Sequence, residues 1–99
     1  MSAVSVDLLF AQLQAMHDRL QNGDLDTVQD LLEQHDRDVR GFMQGGGRDA
    51  GADTLSNLLY AQLQLQDRLR DARDAAARRL RESQQAERAA RAYLSTPGG

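Results

Sequence analysis

The feature that most constrains this chain is a run from Leu55 to Ser95 with neither Gly nor Pro. Its prevailing residues, Leu, Ala, Gln, Glu and Arg, are good helix formers. Asp53 or Thr54 stands before it as an N-cap. Opposite charges recur along it at helical spacings, Asp67 with Arg70, Asp74 with Arg78 and Glu87 with Arg91, although Asp67 and Asp71 form a mildly unfavourable like-charge pair. The pattern predicts one helix over 54–95, extending about 60 Å. Its face changes midway. Leu55, Leu58, Leu59, Leu63, Leu65 and Leu69 make the first half broadly apolar, whereas Ala72, Ala76, Leu80, Ala90 and Leu94 make a thin stripe beyond. At about 25 cal/mol per Å2, alanine gains far less from burial than leucine. The first half is therefore expected to pack, and the second to project, to fold back weakly or to await a partner.

Two shorter helices precede it. Val6, Leu9, Leu13, Met16 and Leu20 alternate spacings of three and four over about 5–21, with Leu8 and Phe10 widening the stripe. Asn22-Gly23-Asp24 supplies a stop and a new N-cap. Leu25, Val28, Leu32, His35, Val39 and Phe42 form the seam of a second helix over about 24–44, whose last turn Gly41 weakens. So short a connection makes the two antiparallel neighbours. Residues 45–53, opening on Gly45-Gly46-Gly47, read as a loop, and 96–99 as a disordered tail. The expected architecture is a single all-α domain: an antiparallel helical hairpin plus a long third helix, a three-helix bundle with a projecting or folded-back C-terminal half.

Function is bounded mainly by what is missing. The chain has no Cys, hence no disulfide framework and no thiolate metal site. No apolar run reaches the roughly 18 residues of a membrane span, and residues 1–10 carry an acid and no basic side chain, unlike a secretory signal. A cytoplasmic location is expected. There is no phosphate-binding loop, since the triple glycine lacks the following Lys and Ser or Thr, and no Cys or elbow-placed Ser nucleophile. His17 and His35 each lie in a His-Asp-Arg string, yet they fall about six residues before and about twelve after the turn. That offsets them by roughly 9 Å, too far to share a metal. His35, on a seam, is either a hydrogen-bonded core residue or the rim of a groove. The expectation is a non-enzyme without cofactor or metal.

The net charge of −3 conceals an asymmetry. Ten acids face four arginines before Thr54, and five acids face eight arginines from there on. The two parts can attract each other, or the opposite part of a second copy. Acids interleave with the arginines, no Lys is present, and Tyr93 is the only aromatic beside them, so nucleic-acid binding is not expected. One internal similarity stands out: Leu8-Leu9-Phe10-Ala11-Gln12-Leu13-Gln14 recurs as Leu58-Leu59-Tyr60-Ala61-Gln62-Leu63-Gln64, through duplication or convergence.

Gly23-Asp24-Leu25 opening a second helix, a glycine loop, and a long helix closing on Arg88-Ala89-Ala90-Arg91-Ala92-Tyr93 together resemble the FliT family of flagellar export chaperones. The resemblance spans about residues 5–94. It implies a cytoplasmic helical bundle that binds the C-terminal helical region of the filament-cap protein and keeps it unassembled before type III export. It further implies contacts, in some members, with a flagellar regulator or the export ATPase. Leu69, Ala72, Ala76, Leu80, Ala90, Tyr93 and Leu94 are the residues expected to meet a protein partner, with Tyr93 alternatively anchoring the helix end to its own bundle. The competing expectation is a homodimeric coiled-coil adaptor whose partner is its own long helix. Neither reading involves a membrane.

Overall fold

The structure, a computed structural model, describes residues 4–95. The predicted tail, 96–99, lies outside the described residues. Among those described, the order is α1 (Val6–Gln21), α2 (Leu25–Gln44), a 3-10 turn (Gly47–Ala50) and α3 (Ala52–Ser95). This is the expected all-α architecture: the α1–α2 hairpin packs, and the second half of α3 projects in unbroken continuation of the first.

Local chemistry accounts for the hairpin. Ser5 caps α1, its hydroxyl accepting from the Leu8 N–H at 3.1 Å. At the other end Gly23 takes φ +74. The Asp24 N–H then reaches back to the Arg19 carbonyl and the Gly23 N–H to the Leu20 carbonyl, both at 3.0 Å. This paired closure needs a left-handed residue, which glycine supplies without a Cβ penalty. Asp24 also serves the next helix, accepting from the Thr27 N–H at 3.2 Å. One residue thus ends α1 and begins α2, and so the connection is short. Gly41 does not end α2 early: the helix runs to Gln44, and the Gly45 N–H still bonds the Gly41 carbonyl at 2.9 Å.

The predicted loop 45–53 is more ordered than its glycines suggested. Gly46, at φ +102, turns the chain into the 3-10 turn, and the Asp49 N–H returns to the Gly46 carbonyl at 3.0 Å. Gly47 is buried beneath the Phe42 ring, where a Cβ would come within 2.5 Å of it. α3 starts at Ala52 and not at 54, because the Gly51 carbonyl already accepts the Leu55 N–H at 3.1 Å. Asp53 consequently sits in the first turn, where its charge still complements the helix dipole.

Leu9, Leu13, Met16, Val28, Leu58, Leu65 and Leu69 form the buried core, with Phe10, Leu20, Leu32 and Val39 among those packed around it. Phe10 widens the α1 stripe as expected, but the other expected widenings do not occur. Leu8 lies largely outside the core, as do Leu59 and Leu63. α3 rests chiefly on α1 and touches α2 much less, so a single stripe of it is covered, and neighbours one residue off that stripe are turned about 100° away. Burial along α3 fades at Ala76, and every residue from Ala77 to Ser95 is exposed. The molecule measures 75 × 26 × 19 Å. Its radius of gyration is 20.8 Å, against about 13 Å for a compact chain of this length.

Candidate protein-docking surface

The residues predicted to meet a partner divide along α3. Leu69 is 3% exposed and belongs to the core, so the closed bundle has no Leu69 surface to offer. Ala72 and Ala76 are half-buried at the last contacts with the hairpin. There the Arg73 guanidinium donates to the Gln29 side-chain carbonyl and ties α3 to the start of α2. Leu80 is 60%, Tyr93 83% and Leu94 82% exposed, and Ala90 is also exposed. Helical spacing carries the buried face of Leu69 outward through Ala72, Ala76 and Leu80, then Ser83 and Glu87, to Ala90 and Leu94. Tyr93 lies far out on the projecting half, so its ring does not anchor α3 to the hairpin. Along the projecting half Glu87 pairs with Arg91 one helical turn on, at 2.5 Å, and the Ser95 hydroxyl donates to the Arg91 carbonyl at 2.9 Å. Asp67 and Arg70 also pair as predicted, at 3.3 Å.

A second exposed apolar set was not anticipated. Leu59, Tyr60 and Leu63 stand on the outer side of the docked half of α3, where the Tyr60 hydroxyl accepts from Gln64 at 3.1 Å. The sequence carried a signal for it. Leu58 and Leu59 are adjacent and cannot both face one neighbouring helix, and Leu63 and Leu65 are two apart and likewise diverge.

Between α2 and α3 runs a groove of about 310 Å3, lined by apolar Leu13, Leu32, Val39 and Leu65 and by polar His35, Asp36, Arg40, Gln62 and Gln66. His35 is only 1% exposed and is fully hydrogen-bonded, which settles it as a core histidine beside the groove. Its Nδ1 lies 2.7 Å from Gln12 Oε1, and its Nε2 lies 3.0 Å from Gln62 Nε2. Gln12 Nε2 donates to Asp38 Oδ2 at 2.6 Å, and Gln34 donates to the other oxygen of Asp38 at 3.0 Å. The polarity of this chain follows from Asp38. A carboxylate only accepts, so Gln12 turns its NH2 to Asp38 and its oxygen to His35. The imidazole therefore carries its proton on Nδ1, and its Nε2 lone pair accepts from Gln62. Burial holds the His35 pKa below the ordinary histidine value, with the nearby Asp36 and Asp38 carboxylates opposing.

Gln12 and Gln62 occupy equivalent positions of the two similar heptapeptides, and the fold brings both to the same imidazole from opposite helices. With both nitrogens engaged, His35 has no lone pair free for a metal. His17, on α1, is half-buried, and its pKa is lowered by burial and then by Arg68, with Asp18 opposing. Among the described residues no group of three or more His, Cys, Asp or Glu is placed to hold a metal ion. Nor is any helix there long and apolar enough to cross a membrane. No family model, no curated protein and no solved structure matches this chain.

Proposed function

We propose that this chain is a protein-binding module of the flagellar export-chaperone type, which holds an amphipathic helix of an exported protein, such as the filament-cap protein, before assembly. The observation that supports the reading is the projecting half of α3, which runs past the ends of the hairpin helices and displays Leu80, Tyr93 and Leu94 to solvent. An amphipathic client helix could lie along this stripe, and its alanines permit close approach of the two backbones. Micromolar affinity corresponds to about −8 kcal/mol, within reach of several buried leucines at about 1.5–3 kcal/mol each. The resemblance to FliT supplies the class of client, and the cytoplasm as the place of action.

The test is calorimetric titration with a synthetic peptide of the filament-cap protein's C-terminal helical region. The expected result is micromolar binding that Leu80→Glu weakens by at least about tenfold, or about 1.4 kcal/mol, with helicity by circular dichroism unchanged. Equal affinity in variant and wild type would remove Leu80 from the surface, and no binding at all would overturn the client class. A second reading, the homodimeric adaptor, is favoured by the acidic hairpin and the arginine-rich projecting half. It predicts a mass that doubles with concentration in sedimentation equilibrium and reverts in high salt.

A further inference from the structure

The His35 clamp joins all three helices through one ring. α1 contributes Gln12 at Nδ1, α2 carries the ring itself, and α3 contributes Gln62 at Nε2. We propose that this clamp is an acid-sensitive latch: a second proton at His35 Nε2 sets the ring against the Gln62 amide and places a charge on a buried imidazole where three helices meet, and so weakens the hold of α3 on the hairpin. The inference rests on the three-helix packing alone and stands apart from the choice of client.

The charged environment does not rescue the imidazolium. α1 and α3 face the ring with amides, Gln12, Gln62 and Gln66, and not with carboxylates. α2 carries Asp36 and Asp38, offset in part by Arg40 in the same groove. Asp38 is already occupied by Gln12 and Gln34. With a proton on Nε2, two N–H donors confront each other at 3.0 Å until Gln62 turns its amide over or withdraws. The charge would also sit on a ring that is 1% exposed. Burial is the leading cause of the lowered His35 pKa, in keeping with this geometry. The sign follows by linkage. A histidine whose folded pKa lies below its unfolded value contributes no penalty above about pH 6.5, and stability is lost as pH falls from there toward the folded pKa. Carboxylates titrate mainly below about pH 5, so in the interval from 7.5 to 5.5 the imidazoles are the side chains that titrate.

Urea unfolding of the full chain at pH 7.5 and 5.5 tests the latch. The wild type and His17→Gln should both lose midpoint on acidification, and His35→Gln should lose much less. Gln62→Glu, which offers the imidazolium a carboxylate, should reverse the direction of the effect at His35. An acid loss of the same size in His35→Gln as in the wild type overturns the proposal. Should His35→Gln fail to fold, the ring proton of His35 followed by NMR in the wild type serves in its place. Titration of that proton below the ordinary histidine range supports the latch, and titration at or above it overturns the latch.

Discussion

The two halves of α3 share one backbone and one alphabet, yet the first, 52–76, lies against the hairpin, whereas every residue of the second, 77–95, is exposed. Helix propensity does not separate them, for both are free of Gly and Pro. Two other quantities do. The hairpin helices have 16 and 20 residues, about 24 and 30 Å of length, whereas the 44 residues of α3 reach about 66 Å. The core must end where its partners end. The covered stripe changes with it, from Leu58, Leu65 and Leu69 to alanines, and then to Ser83 and Glu87. The projecting half stays helical because the docked half supplies the nucleus, so each further residue needs only propagation. A long helix can thus be half core and half free surface without a break between them.

The sharpest way to break that comparison is one truncation made in each half. Leu65→Ala, at a fully buried site, should cost about 2–5 kcal/mol, read as a lower urea midpoint. Leu80→Ala, on the exposed half, should stay within about 0.5 kcal/mol. Similar losses at the two sites would mean that the projecting half folds back onto the bundle. A smaller effect is expected from Gly47→Ala, which drives a Cβ against the Phe42 ring and carbonyl at the loop that launches α3. It should cost about 1–3 kcal/mol in the same assay, loosening the docked half while leaving the projecting half helical. The smallest effect belongs to a stop codon after Ala76. Far-ultraviolet circular dichroism should lose the helical signal of the projecting half, while the thermal midpoint should stay within about 2 °C, the shift of a few tenths of a kcal/mol in so small a domain. A larger fall would show that residues 77–95 contribute to the fold.

Much of this was legible in the residues because it is local. The turn at Asn22-Gly23-Asp24 carries its own closure and cap, and the helix bounds came out within two residues, the largest difference being the start of α3. There a capping preference pointed to Asp53 or Thr54, and the Gly51 carbonyl took the first bond instead. The change of character near Ala72 marked the end of the core closely, since burial fades at Ala76. The candidate site was only partly legible. Leu80, Tyr93 and Leu94 are on the surface as expected, but Leu69 is core, and the outer set of Leu59, Tyr60 and Leu63 was passed over. A run of leucines at adjacent positions says that a helix is apolar on more than one side. It does not say which side a neighbour will cover.

By itself, then, the sequence determined the number of helices, their lengths, the hairpin turn and the point at which the apolar stripe becomes too thin to hold a core. These depend on caps, glycines and a period of 3.6 residues, which act within a few positions of the chain. Only the tertiary structure decided which leucines of α3 face inward, that Gly47 lies under Phe42, and that Gln12 and Gln62 meet at one imidazole. Each of these pairs residues far apart in the chain, and their distance is set by how α3 leans on α1, which no local pattern encodes.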